Sequence, residues 1–239
     1  MRVITIANQK GGVGKTTVTM NLAAIIADTL GANSEGTRVL GVSIDPQASM
    51  LEWAKRCDEL PFDFAQVDRD PNQLAQVRKL SKYDFVIVDT PGSLETQGLL
   101  EKALELSDEV IVPMETESLS FSPAARCVEK IVKPSGLPFK VLLNNWDPRD
   151  GDSELQQTIG YVEARGYARF NTVVRHYKLH SRAPVEGVTV VGYKANRIAE
   201  QARQDFFKLA LEVMAGDGTG EPRHALGVNG AYTGRGGEN

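Results

Sequence analysis

The run Val3-Ile4-Thr5-Ile6-Ala7-Asn8-Gln9-Lys10-Gly11-Gly12-Val13-Gly14-Lys15-Thr16-Thr17 decides the fold. A short apolar strand leads into a glycine-rich turn, and the turn leads directly into a helix. Gly11, Gly12 and Gly14 let consecutive backbone N–H groups point at phosphate oxygens with no Cβ in the way. The helix opening near Lys15 adds the positive end of its dipole to the same place. Lys15 is placed to balance the β- and γ-phosphates, and the Thr16 hydroxyl to ligate Mg²⁺; Val13 and Thr17 complete the cradle. The pattern G-x-x-x-x-G-K-[ST] is not met, because Gln9 occupies its first position. The dinucleotide pattern G-x-G-x-x-G also fails, since Thr17 stands where its third glycine belongs.

Working outward, short β-branched runs at 3–7, 39–44, 85–89, 109–113 and 141–144 alternate with helix-length segments. Those helices are expected over 15–30, 47–56, 71–80, 94–106, 122–132, 153–165 and 194–214, with a further strand over 62–67. Near-continuous Val/Ile/Leu in the strands means burial on both faces. The expected fold is therefore α/β: a mostly parallel, twisted sheet with helices on both faces, which with the glycine-rich loop after its first strand resembles the P-loop NTPase type. In the last helix Ala195, Ile198, Ala199, Ala202, Phe206, Leu209 and Val213 form one apolar stripe. Residues 31–36 read as a loop, 1–214 as a single domain, and 215–239 as a Gly-rich tail with too little apolar surface to order itself.

The 239 residues are 41% hydrophobic and 24% charged, with a net charge of −4. This suits a soluble globular protein and excludes a surface that is basic all over. Cys57 and Cys127 have no metal-ligand spacing, which argues against a zinc site or disulfide framework. Neither residues 3–7 nor any later stretch is long enough for a signal peptide or membrane span, so a cytoplasmic protein is expected.

Two aspartates close strands. Asp45 ends the run Ser43-Ile44-Asp45-Pro46-Gln47, and Asp89 ends Phe85-Val86-Ile87-Val88-Asp89. The carboxyl ends of strands are where such sheets bind ligands, although an Asp before Pro also serves as a turn or cap residue. Four apolar residues and then Asp is the arrangement in which a carboxylate holds a Mg²⁺-bound water.

Lys10 gives the loop a second lysine, in the form K-G-G-x-G-K-[ST]. This resembles the deviant Walker A loop of the ParA/MinD group of ATPases. The resemblance implies ATP and Mg²⁺ as ligands, and a homodimer in which Lys10 reaches the partner subunit's nucleotide. Read alone, Lys10 is a solvated loop charge. The resemblance further implies that Asp45 positions the attacking water and contacts Mg²⁺ through water, with Asp89 holding a second metal-bound water. Gly92 would bring a backbone N–H to the γ-phosphate, at a position where many ParA relatives carry a second proline. Relatives often read the adenine edge with an Asn after the fifth strand, here Asn144 or Asn145. A turn role before Asp147-Pro148 stays open.

Residues 172–178 and 183–190 resemble the C-terminal region of partition ATPases. The loop begins within ten residues of Met1, as in small ParA forms with no N-terminal helix-turn-helix. Between residues 163 and 208 cations outnumber acids, and Arg175, Lys178, Lys194 and Arg197 are the candidate contacts to nonspecific duplex DNA. Solvated charge on a helix face is the alternative. The implied function is plasmid or chromosome partition. An ATP-bound dimer would sit on the nucleoid and leave when a centromere-bound ParB-like or small basic adaptor stimulates hydrolysis. A MinD-like membrane role is disfavoured because residues 216–239 carry no apolar stripe. An iron–sulfur ATPase would need cysteines beside glycine-rich turns, whereas Cys57 and Cys127 fall in expected helices. A nucleotide-dependent scaffold without turnover is the remaining alternative, and Asp45 and Asp89 speak against it.

Overall fold

Strands that are apolar at every position must be covered on both sides, and the architecture follows from that requirement. The computed structural model describes residues 1–31, 38–67, 71–92 and 97–216. Seven strands form one sheet: β1 (Arg2–Ile6), β2 (Val39–Ser43), β3 (Asp63–Gln66), β4 (Phe85–Asp89), β5 (Glu109–Glu115), β6 (Phe139–Trp146) and β7 (Arg169–Arg175). Their spatial order is β3-β2-β4-β1-β5-β6-β7, and every pairing is parallel. All the carboxyl ends therefore point the same way, and β1 sits at the centre with the glycine loop at its tip.

Alternate residues of each strand enter different cores. Ile4, Ile6 and Ile87 face α1 (Lys15–Gly31) and α8 (Arg197–Ala215), and α2 (Ser49–Ala54) and α7 (Lys178–Glu186) join them through Trp53 and Ala183. Val3, Val86 and Val88 face the other side, where α3 (Pro71–Gln76) and α4 (Gln97–Glu105) supply Leu74 and Ala103. Val112 and Met114 on that side pack with α5 (Phe121–Cys127) and α6 (Asp152–Ala164) through Ala124 and Leu155. Helix α1 is buried along most of its length because it lies between the sheet and α8. The π-helical turn Val128–Val132 extends α5.

The strands expected at 85–89 and 62–67 are present, and the others differ from expectation by a few residues at their ends. Two elements were not foreseen. Strand β7 lies at the sheet edge and buries only alternate residues, and its register against β6 shifts twice. Helix α7 is short, contains Pro184 and carries no sustained apolar period. The expected start of α8 also moves. Asn196 accepts from the backbone N–H groups of Ile198 and Ala199, both at 2.9 Å, and so caps the helix. Ala195 consequently precedes the helix, and Ile198 is 52% exposed rather than part of the buried stripe. Cys57 lies beyond the end of α2 rather than within a helix, while Cys127 ends α5 and is buried. The loop expected at 32–36, the helical start at 94–96 and the tail from 217 onward lie outside the described residues.

Candidate nucleotide site

The loop is held in place from below. Asn8 is fully buried at the end of β1, where its Nδ2 donates to the Pro113 carbonyl at 2.8 Å. Its Oδ1 accepts from the Lys10 backbone N–H at 2.9 Å. Gly12 and Gly14 then turn the chain with φ of 80° and 85°, where a side chain is strained. A Cβ on Gly14 would also lie 2.5 Å from Asn144 Nδ2, whereas one on Gly11 or Gly12 would meet nothing within 4 Å. One wall of the cradle is closed by packing, and the other is open to a ligand.

Three functional groups meet where α1 begins. The Lys15 ammonium is buried and donates to the Lys10 carbonyl at 3.1 Å. Burial lowers its pKa, and the nearby carboxylates of Asp89 and Asp45 act in the opposite direction. Asp89 is fully buried at the end of β4, and one of its carboxylate oxygens accepts from the Thr16 hydroxyl at 2.8 Å. The other oxygen has no hydrogen-bond partner among the described residues. Burial pushes this carboxyl up to about 7, against the opposing effects of Thr16 and Lys15. Asp45 sits half-buried at the rim, where it accepts from the Gln47 N–H at 2.9 Å. Gly92 closes over the loop: a Cβ there would lie 2.9 Å from Lys15 Nζ and 3.2 Å from Gly11 Cα.

The loop glycines, Lys15, Thr16, Asp45 and Gly92 line a cavity of about 1000 Å³, with Trp53, Pro184 and Leu99 on its walls. An open glycine cradle, a buried ammonium and an unsatisfied carboxylate oxygen beside a hydroxyl fit a nucleoside triphosphate with its cation. No group of three His, Cys, Asp or Glu side chains converges among the described residues. A magnesium ion would therefore draw most of its ligands from phosphate and water, as that ion commonly does.

The remaining expected residues divide. Asn144 is buried beneath the loop and its Nδ2 donates to the Val13 carbonyl at 2.8 Å, so it supports the loop rather than facing a base. Asn145 is exposed and takes a left-handed φ of 62°. Lys10 reaches back within its own chain to Glu115 at 2.6 Å and Ser120 at 2.7 Å. Arg175 is not a free surface cation. Its guanidinium grips the buried Asp205 carboxylate, at 2.7 Å for Nη2 and 2.9 Å for Nε, and thereby ties β7 to α8. Lys178, Lys194 and Arg197 are exposed.

Sequence reasoning missed Asn8, Trp53, Pro184 and Glu115. It also missed Asn21, whose side chain accepts from Val190 N at 2.8 Å inside the protein. A polar residue within a helix buried on all sides was the available signal for Asn21.

Residues 4–212 match the CobQ/CobB/MinD/ParA nucleotide-binding domain. The chain is 36% identical over 215 residues to a maintenance of carboxysome distribution protein A from Gloeobacter kilaueensis, covering 89% of this chain and 94% of that protein. It is 28% identical to the sporulation initiation inhibitor protein Soj of Bacillus subtilis, over 90% of this chain and 98% of that one. The fold superposes on a chain of the MinC:MinD cell division protein complex of Aquifex aeolicus with a TM-score of 0.71 at 17% identity, covering 90% and 96% of the two chains. With its two-lysine loop and the Thr16–Asp89 pair at the sheet's carboxyl edge, this chain belongs to the ParA/MinD family of deviant Walker ATPases.

Proposed function

We propose that this chain hydrolyses ATP to position a cargo inside the cell. Its ATP-bound homodimer would hold duplex DNA nonspecifically and release it when an adaptor on the cargo stimulates hydrolysis. The observation that carries the reading is the contact between Thr16 and the buried Asp89, beneath a glycine loop that bears both Lys10 and Lys15. Lys15 and the loop N–H groups would bind the phosphates, and Thr16 and Asp89 would hold the cation. Magnesium, when bound, neutralises charge between the β- and γ-phosphates. Asp45, on the rim facing that point, orients the water. Asn145 is the better placed of the two asparagines to read the base, because Asn144 is committed to Val13. Lys10 would supply positive charge to the partner subunit's nucleotide.

Support for the DNA role comes from charge placement. His180 Nδ1 and the Tyr193 hydroxyl lie 3.1 Å apart, which brings α7 beside residues 193–197. Exposed Lys178, Lys194 and Arg197 thus gather at one end of the molecule. The carboxysome-distribution relative at 36% identity favours a carboxysome-like cargo. Plasmid or chromosome partition through a ParB-like adaptor is the second reading, favoured by 27% identity to the chromosome partitioning protein ParA of Caulobacter vibrioides.

Asp45→Ala provides the test. The loop, Lys15 and Thr16 remain, so ATP should bind and drive dimer formation, while phosphate release falls by about a hundredfold. Parental turnover in the variant, with DNA and cargo adaptor present, would reduce Asp45 to a turn residue. Absence of ATP hydrolysis by the parent under every such condition would favour the scaffold.

A further inference from the structure

The loop that presents Lys10 and the strand end that presents Asn145 meet at one side chain, Glu115, which closes β5. One carboxylate oxygen of Glu115 receives the Lys10 ammonium at 2.6 Å and the Ser120 hydroxyl at 3.1 Å. The other receives Asn145 Nδ2 at 3.3 Å. Glu115 and Lys10 are both shielded, their side chains being 13% and 26% exposed. On its far side Asn145 Oδ1 lies 2.7 Å from His176 Nδ1.

We propose that Glu115 is a positioning residue with two tasks: it orients the Asn145 amide for an adenine edge, and it retains Lys10 within its own subunit until a triphosphate in the partner competes for it. The inference rests on the reading above that Asn145 faces the base and Lys10 the partner's nucleotide.

The first task follows from hydrogen-bond inventory. A carboxylate only accepts, so the Asn145 nitrogen must face Glu115 and its oxygen must face His176, whose Nδ1 therefore carries the proton. The amide keeps one N–H and one lone pair for a ligand. Adenine offers an amino donor beside a ring acceptor, whereas guanine offers a carbonyl beside a ring N–H. A free amide matches either base by turning over, but an amide clamped at both ends matches only one. The left-handed backbone at Asn145 (φ 62°), uncommon for a non-glycine residue, marks a conformation held by these surroundings.

The second task follows from competition. Lys10 cannot reach another subunit without leaving Glu115 and Ser120. A charge-assisted contact in a shielded position resists that movement more than a solvated pair does. Its strength therefore raises, by a multiplicative factor, the ATP and protein concentrations needed for dimerisation.

Glu115→Gln removes the charge and keeps the shape. Light scattering with ATP and Mg²⁺ should show the variant dimerising at a protein concentration roughly three- to tenfold lower than the parent. Competition of ATP and GTP for a fluorescent ATP analogue should show their affinity ratio narrowing by a similar factor, while Glu115→Asp should retain most of the parental ratio. An unchanged dimerisation threshold overturns the Lys10 task, and an unchanged ATP:GTP ratio overturns the base task. Melting temperature identifies a variant that has merely lost its fold; labelling of Lys10 by an amine-reactive reagent in the nucleotide-free parent and in Glu115→Gln then gives a fold-matched comparison at low reagent exposure, and equal labelling overturns the retention. A parent that neither binds ATP nor dimerises overturns the functional reading itself, and with it this inference.

Discussion

Glycine at position 92 shows how a single absent methyl group can serve a site. No left-handed backbone demands a glycine there, so alanine fits the chain locally. The constraint is the approach of Lys15 Nζ and the Gly11 backbone, at 2.9 and 3.2 Å from where a Cβ would stand. With no side chain at this position, the segment closes directly over the loop. Gly92→Ala should therefore fold with a melting temperature close to the parent's, but displace the Lys15 ammonium from the phosphate position. A fluorescent ATP analogue should bind about tenfold more weakly, since a displacement of about 1 Å is costly in such a site. Parental affinity in a well-folded variant would mean that Gly92 moves away before nucleotide enters.

Among the elements, α7 and α8 meet around an imidazole. His180 packs edge-on to Phe206 and Tyr177, with ring centroids 5.5 and 5.7 Å apart, and shares a hydrogen bond with Tyr193. Its Nε2 has no partner among the described residues. Burial, with a smaller contribution from His176, lowers its pKa from 6.5 to about 4. The unfolded chain therefore takes up this proton first as pH falls. Stability associated with His180 is complete above about pH 6.5 and is lost progressively as pH drops to about 4, by at most about 3 kcal/mol. Urea titrations at pH 7 and pH 4.5 should show a smaller loss for His180→Gln than for the parent. Equal losses would place the acid sensitivity elsewhere.

At the scale of the whole molecule, parallel strands place the loop, both aspartates and Gly92 at one edge, while α7 and the start of α8 carry the cationic end. The ion pair between Arg175 and Asp205 removes Arg175 from the set available to DNA. Duplex DNA of any sequence should bind more tightly with ATP than with ADP, because a dimer presents two patches at once. Each phosphate contact should contribute about −0.9 to the slope of log affinity against log salt. Replacing Lys178, Lys194 and Arg197 with Ala should weaken binding and flatten that slope while leaving nucleotide affinity unchanged. Filter binding at several salt concentrations measures both. Equal binding in the two nucleotide states would separate the ATPase from any DNA switch.

The sequence by itself determined the strand–loop–helix at residues 2–31, the central strands and the side chains that gather at the glycine loop. These are local matters: glycine's backbone freedom, the continuous apolar runs of doubly buried strands, and a lysine followed by a threonine at a helix start. It could not locate β7 or α7, because an edge strand needs only alternate apolar residues and a nine-residue helix with an internal proline carries little periodicity. Tertiary structure alone separates Asn144 from Asn145, chemically identical neighbours in β6 of which one donates to the Val13 carbonyl and the other to Glu115. It likewise took Arg175 out of the cationic surface and set Lys10 against Glu115, 105 residues away. Each of these outcomes depends on which distant side chain the fold brings within hydrogen-bond reach, and charge or amide chemistry read along the chain carries no information about that distance.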